Sequence, residues 1–409
     1  MSSGLQLRLS KYLLGADVPN NGVVANIYAL DPDRHANSRR NVVIPVGHGG
    51  KFQRVELEPG HYLVEAMMPS GDIVSQEADA VEGLWQEVKL KAEPSAHEWH
   101  SWQNLLGNVQ SFSGYYAADK PDLPNYEVLL SRDRWPPPHN YTWDVLADII
   151  DYGELGLFHR PYWGWLQPQI PTHSDAVTQL HSFRMNYPAS RTELPRWYAV
   201  VLAPQTARLL TVPSPWYVFD EEVPSELLIT KSVDEPIGTS WVVRDPKCCT
   251  MLGYLAQGAF QAALRVANYQ DALDMLFEKF SNPLGAAAGG YLLLGAMRPD
   301  EEGDRPRWHD WIRNLMNYFE WLPDGAIQYA WLKLRQGELE RNRQEARAAL
   351  FEAYNRGLPY YSLGLRWLVD GLTLLGEDDD EAKQRLRMVQ EVAWHADMSN
   401  LFTALTMRR

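Results

Sequence analysis

The sequence predicts a multidomain α+β protein: an N-terminal β-sandwich, a β-rich mixed middle, and an all-α C-terminal part of helical hairpins. Three observations predict it. Apolar residues alternate with period two near the N-terminus. Prolines and aromatics crowd the middle. From Cys248 onward the apolar period becomes 3.6. The expected domains are 1–92, 97–245 and 246–409. A chain of 409 residues suits two or three domains.

Leu5, Leu7 and Leu9 alternate with Gln6, Arg8 and Ser10, which predicts a first strand. Apolar runs at Val23 to Leu30, Asn41 to Val46, and Phe52 through Val55 to Leu57 predict three more. Pro59-Gly60 then suits a type II turn, with Pro presetting φ and Gly taking positive φ. Tyr62, Val64 and Ala66 alternate on the return strand, and Ile73 to Val81 and Trp85 to Leu90 complete the set. The stretch from Gly50-Lys51-Phe52 through Leu57-Glu58-Pro59-Gly60-His61-Tyr62-Leu63-Val64 resembles the prealbumin-like, carboxypeptidase-regulatory type of small β-sandwich. That resemblance implies a non-catalytic folding or interaction module.

Gly47-His48-Gly49 follows a strand, as the catalytic His of caspase-like peptidases does. That chemistry also needs a Cys nucleophile after a later buried strand. Cys248 and Cys249 instead open an apolar helical segment after Asp245-Pro246, so a plain hairpin turn is expected at His48.

Glu93 to Ser95 reads as a linker, and His97-Glu98-Trp99-His100 as a helix start. His97 and His100 could share a metal on one helical face, yet no motif places a third ligand. Between residues 103 and 190, Pro136-Pro137-Pro138, Pro161, Pro168, Pro171 and Pro188 break regular elements. Trp143 to Ile150 is an amphipathic run and a predicted helix, and Asp144, Asp148 and Asp151, near helical spacing, could serve acid/base chemistry or a divalent cation, though a solvated helix face is the commoner use of such acids. Trp197 to Ala203, Arg208 to Val212, Trp216 to Asp220, Glu226 to Lys231 and Thr239 to Val243 read as strands. Gly238-Thr239-Ser240-Trp241-Val242 lacks the closing Gly of a nucleophile elbow. Tyr162-Trp163-Gly164-Trp165 is an aromatic loop that could bind a sugar or peptide, or pack between domains.

Leu252, Leu255, Ala256, Ala259 and Ala263 form one helical stripe. Asn282-Pro283 is an N-cap followed by Pro at the first helical position. The helix after it, Gly285 to Met297, is rich in Ala and Gly, which permits close helix approach. Trp308, Trp311, Ile312 and Leu315 share a face of the next helix. Residues 325 to 356 read as a hairpin, with Ala346, Ala349, Leu350, Ala353 and Tyr354 on the buried face of its second helix. Gly357 and Pro359 stop it. A shift of 36 aligns Trp331 with Trp367, Leu332 with Leu368, Ala346 with Ala382, Leu350 with Leu386, and Ala353 with Val389. This segment resembles one or two tetratricopeptide units, whose period is about 34 residues. Glu377 to Glu381 is expected to cap the last helix, and Met407-Arg408-Arg409 to end it.

Net charge of −14 argues against general nucleic-acid binding. No long uncharged apolar run predicts a membrane helix, and Met1 to Ser10 lacks a signal-peptide pattern. Two adjacent cysteines exclude a disulfide framework, and the expected compartment is the cytosol. No residue is assigned as catalytic, cofactor-binding or metal-ligating. The expected function is a non-enzymatic interaction protein whose partners are other proteins. Tyr162, Trp163, Trp165, Trp331 and Trp367 are the candidate partner-binding residues. The alternative is a hydrolase with a His/carboxylate site in the middle domain, drawing on His139, His159, His173 and His181. Asn282-Pro283-Leu284-Gly285-Ala286-Ala287-Ala288-Gly289-Gly290-Tyr291 and Leu322-Pro323-Asp324-Gly325-Ala326 also resemble parts of accessory proteins encoded beside bacterial caspase-like (CHAT-type) peptidases in defence loci. That resemblance implies a regulator or proteolytic target of such a peptidase. Composition marks 92–97, 299–305 and 376–381 as candidate exposed linkers.

Overall fold

The computed structural model describes residues 3–9, 22–30, 40–46, 52–93, 95–107, 125–132, 141–152, 167–185, 194, 196–203, 206–231, 238–297, 306–337 and 340–408. The chain begins with strands β1 (Gly4–Leu9), β2 (Gly22–Ala29), β3 (Arg40–Pro45), β4 (Gln53–Glu56), β5 (Gly60–Met67), β6 (Ile73–Ala80) and β7 (Trp85–Leu90). Helix α1 (Ala96–Leu106), β8 (Glu127–Arg132) and α2 (Tyr141–Tyr152) follow. Next come β9 (Gln167–Gln169), β10 (His173–Ser174), β11 (Thr178–Phe183), β12 (Trp197–Leu202), β13 (Thr206–Thr211), β14 (Trp216–Val218), β15 (Glu221–Val223), β16 (Ser225–Thr230) and β17 (Gly238–Val243). The helices are then α3 (Cys249–Ala256), α4 (Phe260–Val266), α5 (Tyr269–Phe277), α6 (Pro283–Ala296), α7 (Trp308–Tyr318), α8 (Pro323–Arg335), α9 (Glu340–Arg356), α10 (Ser362–Gly376) and α11 (Asp380–Ala393), before a last strand, β18 (Ala404–Arg408). The architecture is multidomain α+β, as the apolar periods predict.

Contacts gather the chain into two compact units, 1–119 with 244–269 and 120–243 with 270–409. In the first unit, β1 runs antiparallel to β4 and parallel to β7, and a second sheet has the order β3-β2-β5-β6. Leu5 and Leu7 of β1 and Val23, Ala25 and Ile27 of β2 are buried, as period-two alternation requires of a core face. The Pro59-Gly60 expectation is corrected. Gly60 is already a strand residue, opposite Ala80, so its backbone is extended and it is not the positive-φ centre of a turn. The single stripe from Leu252 to Ala263 is corrected as well. It breaks at Gly258, whose φ of +64° ends one helix and lets α4 start in a new direction. Tyr254 ties α3 to β2. Its hydroxyl oxygen accepts from Val24 N–H at 2.9 Å, and burial pushes its pKa up to about 12. Gly253 lets α3 approach α1, because a Cβ there would lie 3.2 Å from Leu105 Cβ.

The second unit holds a sheet of order β18-β13-β12-β8-β9, another of order β10-β11-β16-β17, the β14-β15 hairpin, and the helices from α6 to α11 together with α2. The C-terminus corrects its expectation. Residues 404–408 form a strand on β13, with Leu405 opposite Leu209 and Met407 opposite Ala207, instead of closing a helix. Asn282 caps α6 as predicted, its Oδ1 accepting from Gly285 N–H at 3.0 Å, with Pro283 in the first turn. The small residues of α6 do admit close neighbours. A Cβ on Gly289 would lie 2.6 Å from Ala272 O, and one on Gly290 would lie 2.1 Å from Gln328 Oε1. Ala346, Ala349, Leu350, Ala353 and Tyr354 are all buried on α9, and Gly357 ends that helix with a φ of +90°.

Candidate functional site

Two of the proposed linkers are not loose. Ser95 caps α1, its Oγ accepting from Glu98 N–H at 3.0 Å, so Ala96 and His97 are helical. The turn before α11 is fastened by Asp379, which accepts from Glu381 and Ala382 N–H, and by ion pairs from Arg343 to Asp378 and from Arg347 to Asp379 and Glu381. Residues 299–305 lie outside the described residues, as do His48, His139, His159, Tyr162, Trp163 and Trp165.

The two other aromatic candidates meet. Trp331 donates from Nε1 to Trp367 O at 2.9 Å, and their ring centroids are 5.3 Å apart. Arg335 lies over both rings, at 6.0 and 5.7 Å. Trp331 is half-buried. Trp367 is only 7% exposed and edge-on to Tyr291, so it is a core residue rather than a partner-facing one.

That pair borders a buried polar knot. Asp324 is fully buried and accepts from Tyr291 Oη at 2.8 Å, Tyr360 N–H at 2.9 Å and Tyr361 N–H at 3.3 Å. Burial raises its pKa, and these donors oppose the rise. Tyr361 Oη donates to Leu284 O at 2.7 Å, and Gln328 Nε2 donates to Ala287 O at 2.6 Å. The stretches 282–291 and 322–326, singled out separately in the sequence, are therefore joined here. The knot is sealed, so its role is to fix α6, α8 and the start of α10 in one arrangement.

In the middle strands, His181 is buried beside Gln179 and stacked on Phe183, and burial lowers its pKa to about 4. His173 is exposed, with Nε2 4.0 Å from Asp175 Oδ2. Nearby, Lys231 Nζ donates to Ser174 Oγ at 2.9 Å and to Asp175 O at 2.6 Å, while Ser174 Oγ donates to Asn125 Oδ1 at 2.6 Å. These bonds fasten the β10–β11 turn. His97 Nε2 lies 3.2 Å from Ser70 O, and His100 packs edge-on against Trp99. Asp144, Asp148 and Asp151 are exposed on α2. Among the described residues no cluster of His, Cys, Asp and Glu could hold a metal.

Sequence reasoning missed a group of exposed aromatic residues. It lies where α5 ends and α7 passes. Phe277 is 60% exposed, Phe280 54% and Tyr318 47%. Phe277 packs edge-on against the half-buried Trp311 at 5.1 Å, and Phe280 lies 5.2 Å from Tyr318 and 5.6 Å from Phe319. The buried residues of α5, Ala272 and Leu276, hold it against α6, which leaves Phe277 facing solvent. The available signal was the pair of Phe residues outside the Ala272–Leu276 stripe. An apolar residue off the buried stripe of an amphipathic helix is a surface candidate.

The comparisons place one part of this chain. Residues 250–407 match the family model described as Y4kD C-terminal domain. No curated protein and no solved structure matches. The matched span covers the helices from α3 to α11 and runs into β18, so it includes a strand as well as helices.

Proposed function

We propose that this chain is a non-enzymatic interaction protein that docks a protein partner on the Phe277–Phe280–Tyr318 surface. The observation that carries the reading is the exposure of three large aromatic rings side by side on the helical part. Exposed aromatics grouped on a rigid support are the residue types that dominate binding energy when a partner desolvates them. The helical hairpins and the buried Asp324 knot give that support. The motif resemblance adds a partner class, so we assign the chain as adaptor, regulator or proteolytic target of a caspase-like peptidase in a bacterial defence system, in the cytosol. The test is affinity capture from the native cytosol with wild-type bait and with Phe277→Ala/Phe280→Ala bait. A protein captured stoichiometrically by the first and lost from the second is expected, and cleavage of the bait would mark a target. Equal capture by both baits would refute the surface.

A hydrolase is the second reading, favoured by the His173–Asp175 approach and by the Ser174–Lys231 contact. It predicts that Ser174 is labelled by a fluorophosphonate probe. Absence of labelling would remove it.

A further inference from the structure

We infer that the aromatic surface takes a partner segment carrying an Asp or Glu carboxylate beside an apolar side chain, with the carboxylate seated on the Lys279 ammonium. The inference rests on the docking reading above and adds the chemistry of the partner. Lys279 lies in the turn between α5 and α6, among the exposed rings. It is only 5% exposed. Its Nζ sits 5.9 Å from the centre of the Phe277 ring, 5.8 Å from Phe280 and 6.0 Å from Trp311. Its hydrogen bond is a long one, 3.4 Å to Phe277 O.

An ammonium has three donors, and a buried charge is costly unless it is paired and hydrogen-bonded. The ring faces return part of that cost through their quadrupoles. The single carbonyl returns a little more. Among the described residues no carboxylate lies within ion-pair distance of Nζ. The burial of Lys279 correspondingly lowers its pKa, with no charged neighbour opposing the shift. A cation already largely desolvated gains more from an incoming carboxylate than a surface lysine does, because part of its own dehydration precedes binding. The surrounding rings supply the second half of the recognition. An apolar side chain next to the acid would cover Phe277 and Phe280 and exclude water from the ion pair. The chain's charge of −14 repels acidic partners at long range, so this selection is local rather than steered.

A displayed library of short random peptides, selected on the full chain, tests the inference. Recovered peptides are then titrated against wild type, Lys279→Met and Phe280→Ala. Expected are sequences pairing Asp or Glu with Leu, Ile or Phe. Changing the acid to its amide should weaken binding about tenfold or more. Lys279→Met should weaken the acidic peptides equally and abolish the difference between acid and amide, which is the coupling a double-mutant cycle isolates. That variant keeps an apolar stem and removes a buried charge, so its thermal unfolding should not fall. Recovery of peptides without an acid, undiminished binding by Lys279→Met, or no recovery overturns the inference. Self-association of wild type that is lost in Phe280→Ala also overturns it, since a second copy would then cover the surface. Partners lost with the Phe277→Ala/Phe280→Ala bait but retained with Lys279→Met would keep the docking reading while discarding the carboxylate.

Discussion

Single residues set the rigidity of the second unit. Asp324 ends three donor bonds in a site without water access, so Asp324→Ala should strand Tyr291 Oη and two backbone N–H groups. Each stranded donor costs about 1–3 kcal/mol, and the loss should be large enough to shift the urea midpoint plainly. Gly364 reports on the same knot by space alone. A Cβ there would lie 2.4 Å from Tyr291 Oη and 2.7 Å from Asp324 Oδ1. Gly364→Ala should therefore destabilise by about 1–3 kcal/mol, as overpacking does. In the first unit, His61 on β5 bonds Asp79 through Nδ1 at 2.7 Å and Glu77 through Nε2 at 3.1 Å. With both ring nitrogens on carboxylates the imidazolium is favoured, and the side-chain bond to Asp79, then that to Glu77, raises its pKa above 6.5. The sign follows from the raised value. The contribution is fully present below pH 6.5 and is lost as pH rises through the folded pKa. An NMR titration of the His61 ring should find the raised value, and Asp79→Asn should lower it.

At the scale of elements, local signals were the legible ones. The Asn282 cap, the Gly357 stop and the buried face of α9 all follow from residues within a few positions of one another. The 36-residue shift was legible too, and it has a physical outcome, since Trp331 and Trp367 meet as a tilted ring pair rather than occupying separate places. What the shift could not show was which ring faces inward. An aromatic residue fits core and surface alike, so spacing alone does not separate the buried Trp367 from the exposed Phe277 and Phe280. The acidic run before α11 was correctly read as a cap, and its strength can be measured. Asp379→Ala removes two N-terminal bonds and the pairing to Arg347. A loss of about 1 kcal/mol in chemical denaturation is expected from the cap, with the exposed ion pairs adding little. Asp379 also has a lowered pKa, first from the Arg347 bond. Its contribution is present above the usual carboxylate pKa and fades as pH falls through the folded value.

At the scale of the whole molecule, the sequence periods gave the right classes of structure but not how distant parts combine. β18 was invisible because its partner strand lies far upstream, with Leu405 facing Leu209 across the ladder. The same long reach recurs elsewhere in the second unit. Trp143 Nε1 on α2 donates to Tyr354 O at 2.9 Å, Arg196 donates to Leu358 O and Trp321 O, and Thr211 Oγ1 donates to Tyr360 O at 3.1 Å. Such contacts cannot be read from local spacing, since each joins residues more than a hundred positions apart. They also bear on the matched family span, 250–407, which contains the acceptors of these bonds but none of the donors. Expressed alone, that span would leave Leu405 and Met407 without the β13 side of their ladder, and the carbonyls of Leu358 and Tyr360 without Arg196 and Thr211. It should therefore melt without a cooperative transition and bind a hydrophobic dye. A chain covering 120–409 restores β8, β12, β13 and α2 beside the helices, and should regain a sharp transition in circular dichroism. Equal cooperativity of the two fragments would show that the helices fold without the middle strands, and that the pairing of β13 with β18 only decorates an already stable core.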